Sequence, residues 1–302
     1  MKTKLWSALI ALYVIWGSTY LAIRFCVETL PPFLHAAIRF LISGALIYGW
    51  RRAAGDAKPT AAHWKSAAIV GTILLVGGNG LVAMAEKQIE SGIAALIVST
   101  SPFWFVLFES LRAGGTKPNW QSILGLIIGF GGVSLLLGPQ HSGGASHPFH
   151  LPSVLLLMIA PMLWAAGSIY AKGASLPKST ILSTAMQMLT GGLSLLVVSL
   201  VLGEFSGFQV SEVSARSWGG LLYLITFGSL IGFVSYGWLL HNAPISLVST
   251  YAYVNPVIAV FLGWMLAEEK LNARIAFASC IIVGSVILIN YARQIPVRKK
   301  AR

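Results

Sequence analysis

Apolar residues run along this chain in ten long stretches, which short polar loops separate. A helix needs about 20 apolar residues to cross a bilayer. The stretches cover 5–24, 31–50, 64–85, 92–111, 120–137, 152–171, 180–202, 217–239, 245–266 and 272–291. The boundary at 239–245 depends on a single break, His241-Asn-Ala-Pro244. The pattern predicts an all-α integral membrane protein with ten transmembrane helices.

Composition agrees with this prediction and indicates which classes of binding partner to expect. Of the 302 residues, 56% are hydrophobic and 10% are charged, whereas about a quarter of residues are charged in soluble domains. The net charge of +12 does not indicate nucleic-acid binding, because the lysines and arginines lie between apolar stretches or at the termini. The expected partners are the lipid bilayer and a small-molecule substrate, and not nucleic acid.

Positive charge also predicts the orientation of the chain. With a cytoplasmic N-terminus, the segments on that side hold 15 lysines and arginines, the opposite segments hold 5, and Arg39 lies inside a span. Cytoplasmic loops carry an excess of lysine and arginine. Both termini are therefore expected to face the cytoplasm.

The two halves of the chain are weakly similar. Trp16 aligns with Trp164 and Gly44 with Gly192 at an offset of 148, and Ile97–Pro102 aligns with Tyr251–Pro256 at an offset of 154. Each half has five crossings, and an odd number inserts the second half upside down. We predict two inverted five-helix repeats, 5–137 and 152–291, with a periplasmic linker over 138–151 and a basic cytoplasmic tail over 292–302.

Two prolines lie near the middle of spans at matching places in the halves. Pro102 and Pro256 each remove a backbone hydrogen bond of the helix. Broken backbone at the membrane midplane often marks the cavity of a transporter. The matched placement favours a hinge function for both, although an ordinary kink explains either one alone.

Several segments together resemble a known family. They are Tyr13–Tyr20, Pro31-Pro32 followed by Ile38-Arg39-Phe40, Gly77–Gly80, Ser91–Ala95 and Ser249–Pro256. The chain resembles the drug/metabolite transporter superfamily, with two EamA-type domains in tandem, in a branch of the bacterial inner membrane. The resemblance implies ten helices, a central cavity lined chiefly by helices other than the fifth and tenth, and export of amino acids or related metabolites.

The chain departs from this family at one place. The glutamate that the family has after the fourth helix of each repeat appears in the second half as Glu268 or Glu269. The first half reads Gly114-Gly-Thr-Lys-Pro118 there. A role that needs both acids is therefore not expected.

Arg39 is the first candidate for substrate binding. A charge at the centre of a transmembrane helix costs about 3 kcal/mol on insertion scales, so a compensating interaction is expected. The functional interpretation is a contact between its guanidinium and a substrate carboxylate. The alternative is that Arg39 reaches toward the surface or pairs with Glu86.

Aromatic and amide side chains inside the spans complete the candidate site. Rings can stack on an apolar substrate or hold an ammonium, whereas simple packing or an interhelical hydrogen bond is the alternative for each residue. The candidates are Trp16, Tyr20, Trp104, Trp164, Tyr170 and Tyr253, with the amides Asn79, Gln187 and Asn255.

The remaining sequence features favour a secondary transporter that works by alternating access. The sequence contains no ATP-binding P-loop, and the histidines lack metal-ligand spacing, so no cofactor or metal is expected. An intramembrane enzyme and a structural membrane protein are the rival functions. Gly125 and Gly129 form a pair of small residues that suits packing within a monomer better than a dimer interface.

Overall fold

A computed structural model describes residues 2–111, 119–137, 150–242 and 251–294. Its helices are α1 (Lys2–Cys26), α2 (Pro32–Ala53), α3 (Ala61–Ala85), α4 (Ser91–Leu111), α5 (Trp120–Leu137), α6 (Leu151–Gly173), α7 (Thr180–Val201), α8 (from Ala215 to Asn242), α9 (Tyr251–Ala267) and α10 (Ala273–Gln294), with a short 3-10 turn at Val210–Glu212. Seven are long and apolar enough to cross a membrane, and α5, α9 and α10 are shorter apolar helices within the described part.

These helices confirm the ten predicted spans to within a few residues. At the predicted boundary 239–245, α8 continues through Asn242, and residues 243–250 lie outside the described part of the chain. Most of the predicted linker and tail lies outside it as well, so the domain boundaries stay predictions. We call the end of the bundle that holds the start of α1 the proximal end, and the opposite end the distal end.

The two halves pack around one another in matching pairs. The helices α2 and α7 pack together, as do α4 and α9, and α5 and α10. In addition α1 packs on α8 and α9, while α6 packs on α3 and α4. When the two halves are exchanged, the first three pairs map onto themselves, and the contacts of α1 map onto those of α6. This is the packing of two inverted five-helix repeats.

Glycines bring the paired helices into close contact. A Cβ on Gly191 of α7 would lie 2.5 Å from the Gly71 carbonyl oxygen of α3. Gly44 and Gly192 lie against α7 and α2 in the same way. On α5, a Cβ on Gly125 would lie 2.6 Å from Cγ1 of Ile289 on α10 of the same chain. Small residues therefore set the distances between the helices of the two halves.

Both α3 and α8 change from α-helix to π-helix in the middle. The π-helical segments are Thr72–Gly80 and Leu224–Ile231, at matching places in the two repeats. A π-helix has one more residue in each hydrogen-bonded turn, and such segments are frequent at functional sites. We call them the π segments of α3 and α8.

The helix α4 is interrupted before Pro102. Its first part ends at Val98 and its second part begins at Ser101, which places Pro102 in a first turn, where a missing N–H is tolerated. Pro256, in contrast, lies inside the continuous helix Tyr251–Ala267. The two prolines thus sit in different local structures, and their hinge role stays a prediction.

The helix α2 lacks a capping side chain of its own and receives a carboxylate from elsewhere. Pro31 precedes α2, and the carboxylate of Glu204 accepts hydrogen bonds from the backbone N–H groups of Phe33 (3.1 Å) and Leu34 (2.9 Å) and from Ser199 Oγ (2.8 Å). A carboxylate at a helix N-terminus satisfies free N–H groups and interacts favourably with the helix dipole.

The other half has a matching arrangement at the proximal end. Asp56, 148 residues before Glu204, hydrogen-bonds to Ser179, the N-cap of α7, and pairs with Arg51 at 2.6 Å. The Arg51 guanidinium, followed by the Ser179 hydroxyl, holds the pKa of Asp56 below its usual value. The inverted symmetry therefore extends to the ends of α2 and α7.

The Glu204 contact predicts a loss of stability when its charge is removed. Glu204→Gln keeps the shape but weakens the three charge-assisted hydrogen bonds of this carboxylate, so we expect a loss of about 1–2 kcal/mol in the free energy of unfolding. Thermal unfolding in detergent measures this. Glu212→Gln, on the nearby exposed turn, is the control, and equal melting shifts for the two variants would contradict the capping role.

Candidate substrate site

A group of aromatic side chains surrounds Trp16 near the middle of α1. Its indole centroid lies 5.4 Å from the ring of Phe233, 5.1 Å from that of Tyr236 and 5.2 Å from that of Tyr251. Trp16 is half-buried, and its neighbours come from α8 and α9. We call these four residues the aromatic group. Such faces can bind apolar groups or ammonium groups.

Trp16 and Trp164 occupy equivalent positions in the two halves. A Cβ on Gly232, at the end of the π segment of α8, would lie 2.5 Å from Trp16 Nε1. A Cβ on Gly78, in the π segment of α3, would lie 2.9 Å from Trp164 Cε3. Each tryptophan therefore lies directly against the third helix of the opposite repeat.

Arg39 is buried, with 4% of its surface exposed, and it contacts the π segment of α8. Its Nε donates to Ser229 Oγ at 2.9 Å, and its Nη2 lies 3.1 Å from the position of a Cβ on Gly228. The guanidinium also lies over the Phe40 ring at 4.7 Å. Ser229 is the one hydrogen-bond partner of Arg39 among the described residues, although a guanidinium has five donors.

The alternative pairing of Arg39 with Glu86 is absent from the described structure. Neither carboxylate oxygen of Glu86 makes a hydrogen bond there. Arg39 is thus a buried cation that hydrogen-bonds a hydroxyl rather than a carboxylate. Such a group is suited to binding an anionic group of a substrate.

The amides differ in their partners. Gln187, which aligns with Arg39 at the offset of 148, is half-buried, and its Nε2 donates to Ser183 Oγ at 3.0 Å. Asn255 is buried and, in the orientation that forms hydrogen bonds, donates to the carbonyls of Tyr13 and Tyr251 at 3.2 Å. Asn255 therefore joins α9 to α1 beside the aromatic group.

Asn79 lies in the π segment of α3, next to Gly78 and the Trp164 ring. It is half-buried, and its amide has no hydrogen-bond partner among the described residues. A half-buried amide without a protein partner is available to a substrate.

The other candidates have no ring contact with Trp16 among the described residues. Tyr20 packs against the hydrophobic cluster that includes Val82 and Ala85, toward the distal end. Trp104 packs against Phe130 of α5, at 6.3 Å between ring centroids. Tyr170 is 45% exposed. The side chain of Tyr253 lies outside the described part of the chain.

Sequence reasoning did not select four residues that the structure brings to the site. They are Ser229, Phe233, Tyr236 and Tyr251. Tyr251 belongs to the segment that aligns with the first half, so that alignment was the available signal. The others lie in an apolar stretch whose register the π segment alters.

Within the described residues, no group of three or more His, Cys, Asp or Glu could hold a metal ion.

The comparisons with known proteins agree with a transport role. A sequence model of the EamA-like transporter family matches residues 4–138 and again 151–291. The chain belongs to the EamA-like transporter family. The double match corresponds to its two repeats, and membership makes the chain a multi-pass membrane transporter rather than an enzyme.

Relatives of this EamA-like chain carry transporter names. It is 37% identical over 295 residues to the uncharacterized inner membrane transporter YedA of Escherichia coli (strain K12), covering 96% of this chain and 91% of YedA. It is 25% identical to the uncharacterized transporter sll0355 of Synechocystis, covering 96% and 91% of the two chains. A solved crystal structure, 20% identical, covers 96% of this chain and 98% of its own with a TM-score of 0.65, which supports the fold.

Proposed function

We propose that this EamA-family protein is a secondary exporter of amino acids or closely related metabolites, which works by alternating access in a bacterial inner membrane. The observation that carries the proposal is that Arg39 of α2 and Trp16 of α1 contact the same turn of α8. Arg39 contacts Gly228 and Ser229, and Trp16 contacts Gly232. The buried cation and the aromatic group therefore contact positions within about one helical turn of each other on α8.

This spacing suits a dipolar substrate. A carboxylate can pair with the planar guanidinium through two parallel hydrogen bonds. The ammonium or the apolar side chain of the same molecule can then lie on the ring faces of Trp16, Tyr236 or Tyr251. An α-amino acid carries these groups on one carbon, so both contacts are within its reach.

The fold supports alternating access as the mechanism. Two inverted repeats can exchange conformations, which opens a central site to one side of the membrane and then to the other. The interruption of α4 and the two π segments supply places where the backbone can bend. The charge distribution supports cytoplasmic termini, and the resemblance to the drug/metabolite transporter superfamily implies export. The driving force is then a solute or ion gradient.

A counterflow screen tests the proposed substrate class. The purified chain is reconstituted in liposomes that are loaded with unlabelled L-amino acids. It is expected to take up the same amino acids, added in labelled form outside, in exchange for the unlabelled ones. The matched decarboxylated amines are expected to exchange at least tenfold more slowly, because a lost charge-assisted hydrogen bond is worth about 1.5–3 kcal/mol.

Arg39→Ala and Trp164→Ala are the control variants of this screen. Equal exchange of amines and amino acids would contradict a carboxylate contact at Arg39. If no solute in the screen exchanges, the proposed substrate class is wrong.

A further inference from the structure

The carboxyl group of Glu86 has an environment that the transport site does not explain. Glu86 follows the last residue of α3, at the distal end, and is fully buried, with 0% of its surface exposed. Neither of its carboxylate oxygens has a hydrogen-bond partner in the described part of the chain. Buried carboxylates in native proteins are normally paired or hydrogen-bonded.

Charged and titratable groups interact with Glu86 from α1 and from the loop after α9. Among the described residues these are Tyr20, Arg24 and Cys26 of α1 and Glu269 of the loop after α9. Arg24 Nη1 donates to the backbone carbonyl of Glu86 rather than to its carboxylate.

The neighbouring acid, Glu269, has a different role. Glu269 Oε1 accepts from the backbone N–H (2.7 Å) and the hydroxyl (2.6 Å) of Ser91, and its Oε2 accepts from the Gly92 N–H (3.0 Å). Glu269 therefore caps α4, and its negative charge acts on Glu86.

An ionised Glu86 would be expensive in this position. A buried charge without a hydrogen bond costs several kcal/mol, and a carboxyl group avoids that cost by binding a proton. Burial first, and then the negative charge of Glu269, raise the pKa of Glu86 well above its ordinary value, against the opposing effect of Arg24. Because neither oxygen is accessible to a water-sized sphere, a proton fits and a metal or ammonium ion does not.

We propose that Glu86 is a proton-binding site whose occupancy stabilises the conformation in which the distal end is closed. Opening the distal end moves α1, which carries Tyr20 and Arg24, and the loop that carries Glu269, away from α3. Water then reaches the Glu86 carboxyl group, which releases its proton to the solution on that side. Glu90 and Glu269 line a small cleft at this end, with Gly92, Ile93 and Lys270.

The sign of the pH effect follows from this arrangement. The closed conformation has the higher affinity for the proton, so low pH at the distal side favours closure. As pH rises through the pKa of the closed conformation, this stabilisation is lost and opening becomes easier. For a single proton the equilibrium changes by up to about tenfold for each pH unit.

Infrared spectroscopy of the full chain in liposomes tests the site without any substrate. Near neutral pH, the unchanged chain is expected to show the carbonyl band of a protonated carboxyl group, and Glu86→Gln is expected to lack it. Glu204→Gln is the matched control, because the Glu204 carboxylate accepts three hydrogen bonds, whereas the Glu86 carboxyl oxygens have no partner among the described residues. If the band persists in Glu86→Gln, the proton site is not Glu86 and the proposal is overturned.

A second measurement tests the effect on opening, and it rests on the proposed transport function. The exchange rate of an amino acid found in the counterflow screen is measured while the pH on the distal side is raised from about 6 to about 8. The unchanged chain should accelerate severalfold, and Glu86→Gln should respond little. An equal acceleration in both chains would overturn the role in closure, whereas a failed screen would leave the infrared result to decide the proton site.

Discussion

Replacing Gly71 with valine should leave little or no folded protein, and Gly71→Ala should lower the free energy of unfolding by about 1–3 kcal/mol. A Cβ at Gly71 would overlap the carbonyl oxygen of Gln187 and lie 2.8 Å from Thr190 Oγ1. The backbone of α7 cannot move away from it without opening the contact between the two repeats. The recovery of monodisperse protein and its melting temperature in detergent measure the effect.

Gly49 provides the control for this prediction. It lies inside α2, and nothing is within 4 Å of the position of its Cβ. Gly49→Ala and Gly49→Val should fold normally, and the alanine variant should be slightly more stable, because glycine costs a helix about 0.5–1 kcal/mol relative to alanine. A melting temperature for Gly71→Ala at or above that of the unchanged chain would show that α3 and α7 can separate at little cost.

Removing the charge of Arg39 should abolish most transport without destabilising the protein. In Arg39→Ala the substrate loses charge-assisted hydrogen bonds worth about 1.5–3 kcal/mol, which corresponds to about a 10- to 150-fold loss of exchange at low substrate concentration. The same change removes a buried cation that costs about 3 kcal/mol to insert. The expected signature is therefore lower transport with an unchanged or raised melting temperature.

Gln187→Ala is the matched control, because Gln187 occupies the equivalent position in the second repeat. Its amide bonds to Ser183 of its own helix, so its loss should change exchange only severalfold. Arg39→Lys should retain part of the activity, since it keeps the charge but loses the planar pair of donors. Suppose that Arg39→Ala unfolds the protein, while Arg39→Met folds and transports as fast as the unchanged chain. Arg39 would then be structural, and the substrate assignment would be wrong.

Much of the fold was predictable because membrane spans leave a strong signal in the sequence. Backbone groups in lipid must be hydrogen-bonded within a helix, so an apolar stretch of sufficient length has one stable structure there. The alignment of Trp16 with Trp164 gave the inverted repeats. A broken helix was predicted at both prolines, and the structure shows an interruption before Pro102 but a continuous helix through Pro256.

The site was only partly predictable because the sequence does not show which way a side chain points within a buried helix. In the segment Ser249–Pro256 the structure places Tyr251, which sequence reasoning did not select, against Trp16. The π segments also escaped prediction. An extra residue in a turn rotates the following helix without leaving a mark in composition.

The pairing of Arg39 with Gln187 as equivalent positions means that the charge of the site lies on one repeat alone. A substrate that keeps its carboxylate on Arg39 stays attached to α2 while the second repeat moves around it. Its orientation relative to the first repeat is then the same when it arrives and when it leaves. A pseudo-symmetric carrier of this kind would distinguish the two ends of its cargo throughout the cycle, and would therefore select for molecules with one acidic end.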